Sequence, residues 1–380
     1  MARSSSLITA LQRRLGDTAF ERLRGFLRRE WFLSLLILLY LVLIIVDPSI
    51  VRRTPDLVDW RSLSVITALI LTSKGLELSG VFSKLAPRLI EKAGGSERKL
   101  LIYLLMGVML SSSIIMNDTA MLVFIPLVVA TSRLAEMDTS RAVTLAAIAA
   151  NVGSALTPIG NPQNVIIWRE YALSFWSFVL SMLPFVVCWF VLLLLFAASK
   201  GGKVSVTSVP SVTLNRRLLV LSSVLLILNV SLAEIGLEYW ALLITLLSLA
   251  LLGREALLSF DWALVLIFAM IFVDFGGLAS LLHRVGVGFP SSGLRLLLVS
   301  AGLSQLISNV PTTVLLSGGN ASWLPLAVGV NVGGNGVIVG SLANLIAIRI
   351  SKTNVREFHR YSLPYFLLAL VSALLILLVT

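Results

Sequence analysis

The sequence predicts an all-α polytopic membrane protein made of two inverted repeats, each with a re-entrant hairpin and a broken transmembrane helix. Three observations predict it: the composition, the placement of the basic residues, and a polar, glycine-rich break that occurs twice. The 380-residue chain is 57% hydrophobic and 13% charged, with a mean hydropathy of +0.96, far from the composition of a soluble domain. Alternating ten-residue strands of barrel type are missing from the pattern, so the spans are expected to be helices.

Residues 1–30 interleave Leu7, Ile8, Leu11, Leu15, Leu23, Phe26 and Leu27 with Arg13, Arg14, Arg22, Arg24, Arg28 and Arg29, the pattern of an amphipathic segment lying on an anionic inner leaflet. The apolar run after it is long and lacks a small-residue cleavage site, so 31–47 is expected as a retained span. Further apolar runs lie near 176–198, 215–233, 238–253, 262–282 and 361–380, most of them long enough to cross a hydrocarbon core. The chain therefore divides into a cytoplasmic N-terminal segment, 1–30, and a first half, 31–198, whose repeat is 59–198. A polar, basic cytoplasmic linker, 199–217, leads to a second half, 218–380, whose repeat is 261–380.

The net charge of +11 raises the question of a nucleic-acid partner. The placement of the charge answers it. Of the 30 basic residues, 23 fall in 1–30, 84–99, 133–141, 200–217, Arg254 and 349–360, six fall in the opposite loops (Arg52, Arg53, Arg61, Arg169, Arg284, Arg295), and Lys74 lies within a span. That asymmetry is the positive-inside bias, which puts the N-terminus in the cytoplasm; a multi-pass protein of the plasma membrane is expected. Basic residues scattered over short loops, with no dedicated domain, argue for the lipid bilayer as partner and against nucleic acid. The lone Cys188 permits neither an internal disulfide nor a thiolate metal cluster.

Duplication is legible in three matches in the same order. Asp59-Trp60 and Asp261-Trp262 each precede an apolar span, with Gly75-Leu76 then falling on Gly277-Leu278; MNDTA at 116–120 and SNVPTT at 308–313 each interrupt apolar arms; and NVGSALTPIGNPQN at 151–164 matches NVGGNGVIVGSLAN at 331–344 in spacing. An odd number of crossings between Asp59 and Asp261 makes the repeats inverted, the plan of proteins that hold a solute near the midplane at the repeat interface.

A lipid-exposed break would strand backbone groups at several kcal/mol each, so the breaks must face protein, water or ligand. In the first window Pro158, Gly160 and Pro162 interrupt the helix. Asn161 followed by Pro162 has the form of an N-cap and N1 proline, and Ser341 holds the matching cap position. The restarting half-helices aim free N–H groups and a positive dipole end at the middle, suited to an anion or oxyacid; the ending half-helices offer carbonyls, suited to Na⁺. The tips carry Asn117, Asp118 and Thr119, and Ser308, Asn309, Thr312 and Thr313. A carboxylate at this depth is costly and usually functional, which singles out Asp118 as the carrier of a coupling proton or cation. Lys74 and Glu77, three apart, read as a local ion pair. Asp274 lies in the matching span of the second half; an intramembrane enzyme could use it with Asp118 as an acid/base pair, although the two lie in unmatched elements and neither sits in a protease-like motif. His283 and His359 read as solvated loop residues.

At these tips and windows the sequence resembles the ion transporter superfamily that includes arsenite permeases of the ArsB type, citrate and divalent-anion sodium symporters and NhaD-type sodium/proton antiporters. The likeness covers roughly 31–380. The divalent-anion symporters read Ser-Asn-Thr at each tip; here the tips are Met116-Asn117-Asp118 and Ser308-Asn309-Val310, so the asparagines match and three hydroxyls do not. The Asn-Asp pair is more similar to the arsenite-permease branch. The resemblance implies a homodimer formed through a scaffold, with substrate and Na⁺ held by tips and unwound helices.

The expectation is thus a secondary active transporter, not an enzyme, moving a small anion or oxyacid such as arsenite or a carboxylate by alternating access, coupled to an ion gradient. Asn117, Asp118, Thr119, Ser308, Asn309 and Thr312 are expected at the tips, and Thr157, Asn161, Asn164, Asn335, Ser341 and Asn344 along the breaks. A Na⁺ site is expected near Asn117, Asn151, Asn309 and Asn331, with no other cofactor and Na⁺ or H⁺ as coupling ion. No Walker motif is present, so energy comes from an ion gradient or a separate ATPase partner. Sodium/proton antiport through Asp118 is the alternative.

Overall fold

The computed structural model describes residues 31–81, 84, 91–134, 137–198, 213–317 and 320–379. The expected amphipathic segment 1–30 and most of the linker 199–217 lie outside them. Every regular element described is helical. The first repeat runs through a span Trp60–Leu78, a hairpin of Glu97–Ser112 and Asn117–Leu134, a broken helix of Thr139–Ser154 and Pro162–Glu170, and a last span Phe175–Ala198. The second repeats the order with Trp262–Arg284, Gly293–Ile307 and Asn309–Ser317, Trp323–Gly333 and Leu342–Ser351, and Val355–Val379. Among the described residues four helices are long and apolar enough to cross a membrane alone, Phe175–Ala198, Arg216–Glu234, Trp262–Arg284 and Val355–Val379; the broken helices cross only as pairs.

The two spans that open the repeats run in opposite directions. Each starts at an aspartate cap: Asp59 accepts from the N–H groups of Arg61 and Ser62, and Asp261 accepts from that of Ala263. At one end of the bundle the Ser79 carbonyl accepts from Asn215 N at 2.9 Å, Arg141 reaches Glu97 at 3.9 Å, and Tyr361 donates to Asp138 at 3.1 Å. At the other end Arg53 and Arg284 pair with Asp47 at 2.7 and 2.9 Å. Trp60–Leu78 therefore finishes where Trp262–Arg284 begins. The first of these ends holds the described members of the basic majority and is called the basic end below.

Buttressing is crossed between the halves. The hairpin of Arg216–Glu234 and Glu238–Leu252, which precedes the second repeat, packs on Trp60–Leu78 of the first; Trp31–Val46, which precedes the first repeat, packs on Trp262–Arg284 of the second. Van der Waals fit and interhelical hydrogen bonds hold such contacts, because lipid removes the usual apolar driving force. Asn229 supplies one, donating to Thr72 at 3.0 Å while accepting from Thr245 at 2.9 Å.

Small residues set the closest seams. Ala149 and Gly153 in one ending half-helix correspond to Gly329 and Gly333 in the other, a small-x-x-x-small pattern that lets backbones approach. A Cβ built on Gly153 would lie 2.1 Å from the Met109 carbonyl oxygen and 2.4 Å from Ser112 Oγ; on Gly333 it would lie 3.0 Å from the Ala301 carbonyl oxygen and 2.6 Å from Ser304 Cβ. Met109 and Ala301, and Ser112 and Ser304, are the same hairpin positions in the two repeats, so each hairpin lies against its own broken helix in one shared register.

The closing spans cross at the pseudo-twofold. Trp189 Nε1 donates to the Ala369 carbonyl at 3.1 Å and Tyr365 Oη donates to the Trp189 carbonyl at 2.7 Å, and both helices carry an internal proline at matched positions, Pro184 and Pro364. Tyr365→Phe is expected to cost about 1 kcal/mol, the worth of one buried hydrogen bond, measurable as a lowered unfolding midpoint in detergent.

Candidate functional site

Both breaks form as proline, glycine and cap chemistry dictate. The first helix ends at Ser154 and restarts at Pro162, with Asn161 extended and its side chain accepting from Asn164 N at 2.9 Å. The second ends at Gly333, passes through a 3₁₀ turn Ile338–Gly340 and restarts at Leu342, with Ser341 Oγ accepting from Ala343 N at 3.3 Å. Each break is tied to its own hairpin at the same place by different groups. Thr157 donates to the Ser113 carbonyl at 2.7 Å, whereas Gln305, the hairpin residue equivalent to Ser113, accepts from Val337 N at 2.5 Å and donates to the Gly333 carbonyl. His359 is not a loop residue: it lies half-buried in Val355–Val379 and accepts from Ile338 N at 3.2 Å, steadying the 3₁₀ turn.

Between the breaks the asparagines form a near-symmetric brace. Asn151 donates to Asn344 Oδ1 at 3.1 Å and to the Gly334 carbonyl at 3.0 Å; its counterpart Asn331 donates to Asn164 Oδ1 at 2.7 Å and to the Ala327 carbonyl at 2.8 Å. Asn151 Oδ1 accepts from Ser341 Oγ at 3.1 Å, and Asn331 Oδ1 from Asn161 Nδ2 at 3.0 Å. Asn164 reaches the Ser154 and Thr157 carbonyls, both at 3.0 Å, and Asn344 reaches those of Gly334 and Val337 at 2.8 and 3.4 Å. The shift of 180 positions (151 to 331, 161 to 341, 164 to 344) carries one set of bonds onto the other with one exception: Asn151 donates across to the Gly334 carbonyl, whereas Asn331 donates back to Ala327 in its own helix. These amide donors satisfy carbonyls and one another, so the brace holds the two breaks face to face.

What remains open at the centre comes from the tips. The first turns through Ser113–Met116 into the helix at Asn117, so Asp118 sits in its first turn and not ahead of it. The second turns on one residue, Ser308, whose φ of 75° is left-handed. Asn117 N donates to the Gly160 carbonyl at 2.8 Å, docking the first tip on the first break, and Asn117 Nδ2 reaches Asn151 Oδ1 at 3.3 Å. Asn117, Asp118, Gln163, Asn309 and Ser341 line one narrow central crevice of about 10 Å³, room for about one water. Both restarting helices, at Pro162 and Leu342, face it. Sequence reasoning missed Gln163, although its position directly after an Asn-Pro cap is the available signal. Thr312 and Thr313 turn back onto the carbonyls of Ser308 and Asn309 at 2.8 and 2.9 Å, away from the crevice. The Asn335 side chain donates to the Asn331 carbonyl at 3.2 Å, while its own oxygen is buried without a partner among the described residues.

Beside the crevice, on the side of the basic end, lies a cavity of about 470 Å³. Asp118 and Thr119 line it together with Lys74, Glu77, Asp261 and Arg349. Lys74 and Glu77 pair with each other at 2.8 Å. Asp118, 9% exposed as a residue, lines both spaces, and its carboxylate makes no hydrogen bond among the described residues. A larger cavity, about 730 Å³, lies between Trp262–Arg284 and the second hairpin, and touches neither tip nor restarting helix. It is therefore the less relevant space. Asp274 is fully buried and lines neither cavity, both of its carboxylate oxygens lacking a partner among the described residues. No cluster of three or more His, Cys, Asp or Glu suited to a metal occurs among the described residues.

The family described as citrate transporter (CitMHS) matches residues 19–322. The inner membrane protein YbiR of Escherichia coli K12 is 37% identical over 363 residues, covering 93% of this chain and 97% of YbiR. The transporter MJ0456 of Methanocaldococcus jannaschii is 31% identical over 332 residues, covering 86% of this chain and 89% of its own. Among solved structures, the Alcanivorax borkumensis YdaH transporter is similar in fold, with a TM-score of 0.52 at 16% identity over 87% of this chain and 86% of that one.

Proposed function

The chain belongs to the citrate transporter family and is a multi-pass membrane transporter, and on that premise we propose that it moves a small anion or oxyacid across the plasma membrane by alternating access. The carboxylate named by the family, citrate, and a neutral oxyacid such as arsenous acid are the two substrate classes that the site's chemistry suits. The observation that carries this reading is the convergence of two restarting helices and two hairpin tips on one crevice, because helix N-termini attract negative charge and oxyacid oxygens. In this structure the crevice holds no more than about one water, so Asn117, Asn309, Gln163 and Ser341 would orient the solute when the tips part and the crevice opens into the adjoining 470 Å³ cavity. Where Na⁺ couples, it would be held near Asn117, Asn151, Asn309 and Asn331, displacing the hydrogen bonds that the Asn151 and Asn331 side-chain oxygens accept in this structure.

Asp118 is the group that would bind the coupling proton or cation. Its carboxylate stands at the junction of the narrow crevice and the wide cavity without a fixed hydrogen-bond partner, which is the condition for exchanging an ion as the solute passes. A sodium/proton antiporter needs that same feature, so the second reading stays attached to it. An enzyme built on Asp118 and Asp274 would need both carboxyls to face one space, and only Asp118 lines the cavity. The N-terminus would lie in the cytoplasm with the basic end, and a homodimer would form through the helices outside the hairpins and broken helices. A separate ATPase partner would be needed only where flux fails to follow an ion gradient.

Flux in vesicles containing the purified chain tests the proposal. Entry of citrate, succinate, arsenite, sulfate or phosphate that persists without Na⁺ is the expected anion-permease result, and stabilisation of the folded protein by one of them identifies the substrate. Proton release driven by Na⁺ or Li⁺ with no anion present would favour the antiporter. Asp118→Asn is expected to lower coupled flux by about ten-fold or more, equivalent to one lost interaction of ~1.4 kcal/mol in the rate-limiting step. Unchanged flux in that variant would remove Asp118 from the mechanism.

A further inference from the structure

The two restarting helices are alike in sequence position but not in surroundings. Arg169, at the end of Pro162–Glu170, forms an ion pair with Glu238 and donates to the Ala233 carbonyl, so it grips the turn between Arg216–Glu234 and Glu238–Leu252. Glu238 is 1% exposed. Around this grip Val58, Leu63 and Ile66 share an apolar cluster with Ile166 and Trp168, and Glu170 lies within electrostatic range of the cap Asp59. At the end opposite the basic one, the restarting helix is shut against the buttress.

The same shift of 180 positions carries Arg169 onto Arg349. Arg349 is exposed and makes no ion pair among the described residues. It lines the 470 Å³ cavity with Ile346 and Ile350, and the facing wall is Ser259, Phe260, Asp261 and Leu264. Those four are the repeat equivalents of Leu57, Val58, Asp59 and Ser62, the stretch against which Arg169's helix is shut. The hairpins follow suit: Asn309–Ser317 packs closely along Trp262–Arg284, whereas Asn117–Leu134 packs loosely on Trp60–Leu78. One half is closed where the other stands open, and an inverted repeat can exchange those two arrangements.

We infer that Arg169 and Arg349 are a matched pair of gate residues, engaged one at a time. Arg169 on Glu238 holds the closed end of this structure; when the 470 Å³ cavity closes, Arg349 engages Asp261 and Arg169 releases Glu238. Of the charged groups lining the cavity, Glu77 is already held by Lys74 and Asp118 lies deeper, at the tip. Asp261 uses one oxygen to cap Ala263 N at 3.1 Å and keeps the other for a partner. A desolvated ion pair adds little net stability against its alternatives, so two such pairs can trade places without trapping either state. The inference rests on the alternating-access reading above and assigns residues to its gates.

The test reads conformation without needing a substrate. In a Cys188→Ala background, a single cysteine is placed either at Leu264, on the wall of the open cavity, or at Ser62, its buried equivalent, and the rate of reaction with a membrane-impermeant maleimide is measured on the full chain in detergent. Arg169→Gln is expected to raise the Ser62→Cys rate and lower the Leu264→Cys rate by about five-fold or more, and Arg349→Gln to do the reverse, in the range of allosteric couplings. Arg169→Lys and Arg349→Lys, which keep the charge, should return both rates toward the parent values. A variant that merely misfolds exposes both cysteines together. Rates that rise together in a variant whose unfolding midpoint matches the parent's, or that do not change, overturn the gate assignment. Anion flux with unchanged labelling would condemn the gates alone, whereas reciprocal labelling with no flux of any solute would spare the gates and condemn the transport reading.

Discussion

Gly153→Leu is expected to prevent accumulation of the folded protein, and Gly153→Ala to destabilise it strongly by itself. The reason is that a Cβ is fixed by the backbone and no rotamer can move it. At 2.1 Å from the Met109 carbonyl oxygen and 2.4 Å from Ser112 Oγ, the added carbon overlaps backbone, so the first hairpin and Thr139–Ser154 must separate. Overpacking of this kind costs roughly 1–3 kcal/mol, and more where backbones must shift. In this molecule the separation also undoes the Thr157–Ser113 tie and the docking of Asn117 N on the Gly160 carbonyl, so the upper part of that range is expected. Gly302→Ala is the matched control: it lies mid-helix, nothing stands within 4 Å of its added Cβ, and helix propensity favours Ala by up to about 1 kcal/mol. Comparing the detergent-stable yield and unfolding midpoint of the three variants decides the matter. Equal behaviour of Gly153→Ala and Gly302→Ala would mean that the close hairpin seam is not a requirement of the fold.

That seam illustrates what a membrane sequence makes legible. The breaks stand out because proline, glycine and asparagine inside apolar sequence must answer to backbone hydrogen bonding, and lipid offers no alternative partner. The tips stand out for the same reason. The matched order of Asp-Trp, tip and window then gives the repeat and its inversion. Packing partners are much harder to read, since in lipid a buried helix face and a lipid-facing one are both apolar; nothing in 31–46 announces that it packs on the second repeat and not on the first. The roles of the asparagines also divide in a way the sequence does not display. Asn151, Asn331, Asn164 and Asn344 bond chiefly to the breaks themselves, and Asn117, Gln163 and Asn309 face the crevice, because the direction of an amide depends on the partner break, about 180 residues away in sequence. The unequal surroundings of Arg169 and Arg349 belong to one conformational state, and sequence symmetry alone predicts them equal.

The asparagine brace carries the second large effect. Asn331→Leu keeps the approximate volume but removes a donor from Asn164 Oδ1 and an acceptor from Asn161 Nδ2, which sit 2.7 and 3.0 Å away in the intact site. Asn161 and Asn164 are fully buried; Asn164 Oδ1 is left without a partner, at a desolvation penalty of about 1–3 kcal/mol, while Asn161 Nδ2 keeps its bond to Ser154 Oγ at 3.0 Å and adds the smaller cost of one lost amide bond. Asn151→Leu removes the equivalent bonds to Asn344 and Ser341 and should cost a similar amount. The two side chains do not bond each other, yet both clamp the same pair of broken helices. Once one clamp is lost the helices can part, and the second has less left to lose. The double variant is therefore expected to cost less than the sum of the singles by about 0.5–3 kcal/mol, the coupling seen for residues in one network. Strict additivity in a double-mutant cycle of unfolding midpoints would mean that the breaks are held apart from one another, each by its own half, and that the crevice owes its shape to the hairpins alone.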